Sequence, residues 1–240
     1  MKIEILDSVE STNRYCEALD LTQVEDFTCY WALEQTAGIG QRGNYWASTP
    51  GENLTFSLVL HPTFLPADKQ FHLTEALSLA LVDFLKAFIP LPSIKWPNDI
   101  YVGNKKICGT LVSTRLTGNN IASAVCGIGL NINQTTFPNW VPNPTSLRLL
   151  TGKEYKLEPL LTQLLDCLEK RYTELRSGRN LELEYLNHLM NLGVPIHYIY
   201  KGEEIIATIT GIDPYGHLLL TANNGQRLCC AMKEITFLPN

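Results

Sequence analysis

The sequence predicts an α+β protein: a mixed sheet covered by helices, followed by a small all-β unit. Three observations carry this. Strand-like segments at 2–6, 28–33, 54–61 and 121–133 are interleaved with long apolar helical stretches at 69–88 and around Leu160–Leu168. After Gly193 the texture changes to five short strands separated by tight turns, which suggests a small barrel. A chain of 240 residues with 45% hydrophobic content can bury one large core and support a second unit. The expected division is 1–192 and 193–240.

Taken in order, Lys2 to Leu6 alternates and reads as a strand. Ser11-Thr12-Asn13 supplies cap chemistry for a short helix running to Leu19. Thr28 to Leu33 is β-rich and leads into a glycine-dense loop. Leu54 to His61 alternates again, with Phe56, Leu58 and Leu60 on one face and Thr55, Ser57 and Val59 on the other. The helix at 69–88 is closed by Pro90 and Pro92. Ile94 to Trp96 is a short strand. Ile100–Val102 and Lys106–Thr114 form a hairpin across Gly103-Asn104. Phe137 to Pro144 is a proline-rich loop. Leu160, Leu161, Leu164, Leu165 and Leu168 make one face of a second long helix, and a further helix lies near 181–189. The last five strands are expected at 194–200, 204–210, 218–221, 227–231 and 235–238.

Composition excludes several classes. The net charge is −5 and no lysine or arginine cluster offers an electrostatic footprint for nucleic acid or anionic membrane. The N-terminus lacks a signal-peptide apolar core, and no apolar run is long enough to span a bilayer, so a cytoplasmic protein is expected. The seven cysteines include no Cys-x-x-Cys and read as reduced thiols. His61, His72, His188, His197 and His217 show no ligand spacing and read as surface or satisfied structural residues.

Two runs point to chemistry. Gly38, Gly40 and Gly43 satisfy G-x-G-x-x-G, but the segment Asn44 to Gly51 is poor helix material, so a dinucleotide fold is rejected. A P-loop motif is absent. Such a loop can still fold its amides over an anion, with Arg42 as a forked cation. Lys95-Trp96-Pro97-Asn98-Asp99 is a stiff corner that presents Lys95, Asn98 and Asp99 in fixed directions. Lys106 lies just past the hairpin turn and can return toward it, and Gly109 permits close backbone approach to a ligand.

With these residues in view the chain resembles the biotin protein ligases, over nearly its full length. Ser11-Thr12-Asn13 matches the Ser-Thr-Asn that opens the family's biotin pocket, and Glu34 to Gly38 leads into its biotinyl-adenylate loop. Trp46 matches an adenine-shielding tryptophan. Lys95 to Asp99 is the Lys-Trp-Pro-Asn-Asp signature. Lys106-Ile107-Cys108-Gly109 resembles Lys-x-Ala-Gly, and Gly127 to Asn131 resembles Gly-x-Gly-x-Asn. The resemblance implies a catalytic domain like that of a class II aminoacyl-tRNA synthetase, plus an SH3-like C-terminal barrel. The winged-helix DNA-binding module of some members is expected to be missing, and DNA and membrane are not expected partners. Dimers are common in the family, which leaves a homodimer as one expected state.

The implied reaction activates biotin with ATP as biotinyl-5′-AMP and transfers it to a lysine of a biotin carboxyl carrier protein. By resemblance, Lys106, Lys95, Asp99 and Arg42 are catalytic. Ser11, Thr12, Asn13, Gln35, Gly38, Gly109, Gly127, Gly129 and again Lys106 bind biotin. Ile39, Gly40, Gln41, Arg42, Gly43, Trp46, Lys95, Asn98 and Asn131 hold the adenylate, and Asp99 is the expected Mg²⁺ ligand. The chain departs from the family loop Gly-Arg-Gly-(Arg/Gln)-Arg-Gly at Ile39, which replaces the first arginine, while Gln41 is a familiar alternative. Two other readings stay open: a lipoate or octanoate ligase, and a non-catalytic binder of biotin or its adenylate.

Overall fold

The computed structural model describes residues 2–232 and 234–238, and the side chain of Arg42 lies outside the described residues. The larger sheet is built from β1 (Lys2–Val9), β2 (Thr28–Gln35), β3 (Leu54–Leu60), β4 (Pro92–Lys95), β5 (Asp99–Val102), β6 (Lys105–Thr117) and β7 (Asn120–Leu130). Its seven strands run in the order β1-β2-β3-β7-β6-β5-β4. β1 and β2 are parallel and the other neighbours antiparallel, so the sheet is mixed as expected. The β5–β6 turn falls at Gly103-Asn104, with Gly103 in the left-handed region at φ 57°.

The pairing register sorts residues onto the two faces. Ile94, Ile100, Cys108, Leu130 and Leu54 lie side by side across five strands, and each is fully buried. They face the core formed with α2 (Phe71–Lys86) and α4 (Leu157–Arg176). The next rung, Lys95, Asp99, Gly109, Gly129 and Thr55, points to the opposite face. That face is partly covered by α1 (Thr12–Glu17), whose Cys16 packs with Leu21, Val59 and Val125. β3 is therefore buried on both sides, although its sequence alternates.

One irregularity changes this parity. Ile100 pairs with Cys108, but Tyr101 pairs with Lys106, so Ile107 is an extra residue in β6. Ile107 and Cys108 both enter the core, and Lys106 emerges on the same face as Gly109 and Asp99. In an unbroken strand Lys106 would share the core face with Cys108.

Two elements differ from expectation. α1 stops at Glu17, and Ser11 occupies its N-cap position with no side-chain cap bond. A five-residue helix, α3 (Leu147–Thr151), follows the proline-rich loop; it is capped by Ser146 and closed by left-handed Gly152, and is too short to show a periodic pattern.

The smaller sheet comprises β8 (Pro195–Tyr200), β9 (Glu203–Ile212), β10 (Leu218–Ala222), β11 (Arg227–Cys230) and β12 (Ile235–Phe237), in the order β11-β10-β9-β8-β12. All neighbours are antiparallel. The expected barrel is not closed: β11 and β12 are the edges, and no ladder joins them among the described residues. Both edge strands are short, four and three residues, and each is committed to one inner neighbour. The buried face of this sheet, including Tyr198, Ile209, Leu220 and Ile235, is continuous with the main core.

The Lys95–Asp99 corner is held from behind. α5 (Glu182–Asn187) carries fully buried Tyr185, whose hydroxyl donates to the Pro97 carbonyl at 2.7 Å. Arg171 of α4 ties α5 in place, donating to Glu184 at 2.8 Å, to Asp83 of α2 at 2.7 Å and to its neighbour Glu174 at 2.9 Å. Arg171 is buried and its three carboxylate partners are half-buried, so removing it leaves like charges facing one another. Arg171→Met is expected to cost about 1.5–3 kcal/mol of stability, read by denaturant unfolding.

Candidate active site

The glycine face of the larger sheet floors a cavity of about 310 Å³. One wall is polar. The Gln35 side-chain oxygen accepts from the Thr12 amide at 2.8 Å and from the Thr12 hydroxyl at 3.1 Å. The Ser57 hydroxyl lies 2.7 Å from Asn13 Oδ1 and 2.8 Å from Thr12 Oγ1, so its single proton serves one of them at a time. Ser11, Thr12, Asn13 and Ser57 are all buried. Buried polar groups in such density are costly unless each finds a partner, which suits a ligand with donors and acceptors of its own.

The floor needs glycine for space. A methyl at Gly127 would sit 1.9 Å from Asn13 Oδ1, and one at Gly129 would sit 2.3 Å from the Trp46 indole. Trp46 thus lies directly on the sheet, and its N–H has no partner among the described residues.

The opposite wall is charged. Lys106 Nζ is 2.7 Å from Asp99 Oδ1 and 5.7 Å from the centre of the Trp46 ring. Lys95 Nζ lies between the rings of Tyr101 and Phe237, at 5.1 and 5.2 Å. Burial lowers the Lys95 pKa below the usual lysine value, and nearby Lys106 adds to the effect, while Asp99 opposes it. Asn98 is buried, and its amide donates to the Thr110 carbonyl, so this side chain braces the corner while lining the cavity.

The loop after β2 folds as a small hairpin. Trp46 N donates to Gly38 O at 2.9 Å, Gly40 N to Asn44 O at 2.7 Å, and Ile39 bridges to Tyr45. Ile39, Gly40 and Gln41 line the cavity, whereas Gly38 backs the loop in an adjoining hollow and exposed Gly43 lines another. Asn131 shares that second hollow with Trp46 and Lys106. Its Nδ2 donates to Thr145 O at 2.9 Å, and its buried Oδ1 has no partner among the described residues. The expected role of Arg42 concerns a side chain outside the described residues.

The structure therefore brings Ser11, Thr12, Asn13, Gln35, Ile39, Gly40, Gln41, Trp46, Lys95, Asn98, Asp99, Lys106, Gly109, Gly127 and Gly129 to one cavity, with Gly38, Gly43 and Asn131 at its margins. Sequence reasoning missed Ser57, whose small polar side chain on an apolar strand was the available signal. It also missed the second sheet's part: Met232, Ile235, Thr236 and Phe237 complete the cavity. That sheet is docked by Gly216, whose carbonyl accepts from Trp96 Nε1 at 2.9 Å and whose Cα abuts the Phe71 ring.

A glycine-floored mixed sheet, with a polar wall facing two lysines and a carboxylate, is the site that this α+β fold builds. The chain belongs to the biotin/lipoate A/B protein ligase family, whose model matches residues 5–131. It is 29% identical over 235 residues to the biotin–[acetyl-CoA-carboxylase] ligase of Paracoccus denitrificans, covering 93% of this chain and 96% of that one. It is 29% identical over 225 residues to the bifunctional ligase/repressor BirA of Bacillus spizizenii, covering 91% of this chain and 69% of that one. The structure of the Aquifex aeolicus biotin protein ligase in complex with biotin and ATP superimposes with a TM-score of 0.81, at 24% identity and 99% coverage of both chains.

The burial of Lys95 has a direct readout. In reductively ¹³C-methylated protein one lysine signal is expected to titrate at lower pH than the rest, and Lys95→Arg is expected to remove it.

Proposed function

We infer that this chain is an ATP-dependent ligase that activates biotin as biotinyl-5′-AMP and transfers it to a lysine of a carrier-protein domain. The observation that carries this is the one cavity in which Lys95, Lys106 and Asp99 face the Thr12–Asn13–Gln35 wall across glycine, with Ser57 bracing that wall from behind. The wall suits a ring bearing N–H and C=O groups, such as the ureido ring of biotin. It offers no matching contact to the apolar dithiolane of lipoate or the chain of octanoate. The names of the Paracoccus and Bacillus relatives point the same way.

The chemistry joins two anions. A carboxylate oxygen of biotin attacks the α-phosphorus, and the bond to the bridging oxygen breaks to release pyrophosphate. The carrier amine then attacks the acyl carbon, the bond to AMP breaks, and a proton leaves the nitrogen. Lys106 and Lys95 offset the repulsion between the reacting acids and hold them in line. Lys106 arrives already oriented by Asp99. The roles expected of Ser11, Gln41, Gly40 and the loop amides are to fix the ligand, and the unpartnered Asn131 Oδ1 and Trp46 N–H suit a nucleotide base beside Lys106. Asp99 is the one carboxylate among the described lining residues, and one carboxylate with substrate phosphates fits the way Mg²⁺ is commonly held. When bound, Mg²⁺ supplies charge to the phosphates. We assign 1–192 to the catalytic unit and 193–240 to the C-terminal unit.

Incubation with biotin, Mg-ATP and an apo carrier domain is expected to raise the carrier mass by one biotinyl group. Lipoate is expected to give none, and Lys106→Met is expected to slow adenylate formation roughly a hundredfold or more. An unmodified carrier with no pyrophosphate release would overturn the assignment. Ile39 faces the cavity where the family carries arginine. Restoring a charge-assisted contact there is worth about 1.5–3 kcal/mol, so Ile39→Arg is expected to slow release of biotinyl-AMP, measured by retention through gel filtration.

A further inference from the structure

Asp213, His217 and Cys229 meet on the smaller sheet, away from the cavity; none of the three lines it. Asp213 and His217 flank the turn between β9 and β10. In the ladders Gly211 pairs with Leu219 and Leu219 with Cys229, so residues two steps from each are brought to the same side. Asp213 Oδ1 is fixed by the amides of Tyr215 and His217, at 2.9 and 2.8 Å. Its other oxygen faces His217 Nδ1 at 2.8 Å and Cys229 Sγ at 3.6 Å. One oxygen, one nitrogen and one sulfur thus converge within 4.8 Å of one another, on backbone held by a turn and a ladder.

We propose that Asp213, His217 and Cys229 form a binding site for a borderline-soft divalent cation, with Zn²⁺ the best match. A mixed S/N/O donor set selects zinc over magnesium or calcium, which prefer oxygen alone. Three protein donors leave a fourth tetrahedral position to water, with the ion about 2.0–2.3 Å from each donor. As the ion enters, the thiol proton leaves to solvent and the neutral imidazole carries its one proton on Nε2, which frees Nδ1 to ligate. The site spans the turn that carries Gly216, so an ion there clamps the segment that accepts the Trp96 N–H. Sequence spacing hides the triad, because Cys229 is contributed by a separate strand.

The test uses the full chain, reduced, stripped by chelator and titrated with Co²⁺ alone without oxygen. One equivalent is expected to give a thiolate-to-cobalt charge-transfer band in the near ultraviolet, bleached by Zn²⁺. Cys229 is exposed, so Cys229→Ser should fold and lose the band, whereas Cys167→Ser, altering the half-buried thiol, should keep it. His217→Gln removes one of the three donors and should weaken binding. Absence of the band in the unaltered chain, or its persistence in Cys229→Ser, would overturn the site.

Discussion

A β-strand shows alternate residues to its two sides, and β6 breaks that rule once, at Ile107. The consequence reaches both faces of the sheet. Ile107 and Cys108 enter the core together, which keeps the packing against the helices continuous. Lys106, one step away, is turned to the glycine side, where it meets Asp99. Without the extra residue the cation would be driven into an apolar core, at a cost no partner there offsets. The charged half of the site exists because the strand gives up one regular pair.

The polar half rests on a different constraint, the absence of side chains. Gly127 and Gly129 sit on the rungs that carry Ser57 and Thr55, and they let Asn13 and Trp46 approach the sheet backbone. The floor is rigid because it is a central strand pair, and the groups standing on it are fixed by Ser57 and Gln35. Rigid placement of a few polar groups in a small hollow is what separates a binding site from a merely hydrophilic cleft.

Much of this was legible in the residues. The strands and long helices follow from periodicity, and the Gly103-Asn104 turn fell where its chemistry placed it. The ordered motifs pointed to one site, and the described members gather at it or at its margins. Other features were not legible, each for a physical reason. The bulge at Ile107 has no signature, since Lys-Ile-Cys-Gly also reads as an ordinary strand. The open sheet at the C-terminus was expected as a barrel, because strand length and turns fix the local path but not whether the two edges meet. The cavity wall from Thr236 and Phe237 arises from docking through Gly216, a contact between segments far apart in sequence.

Phe237 stacks against the same lysine that the corner of the larger sheet presents. The hollow is therefore enclosed by both halves of the molecule. A ligand that binds better when the two halves are joined stabilises their joining by the same factor. The C-terminal sheet is thus part of the pocket wall rather than an appendage to it.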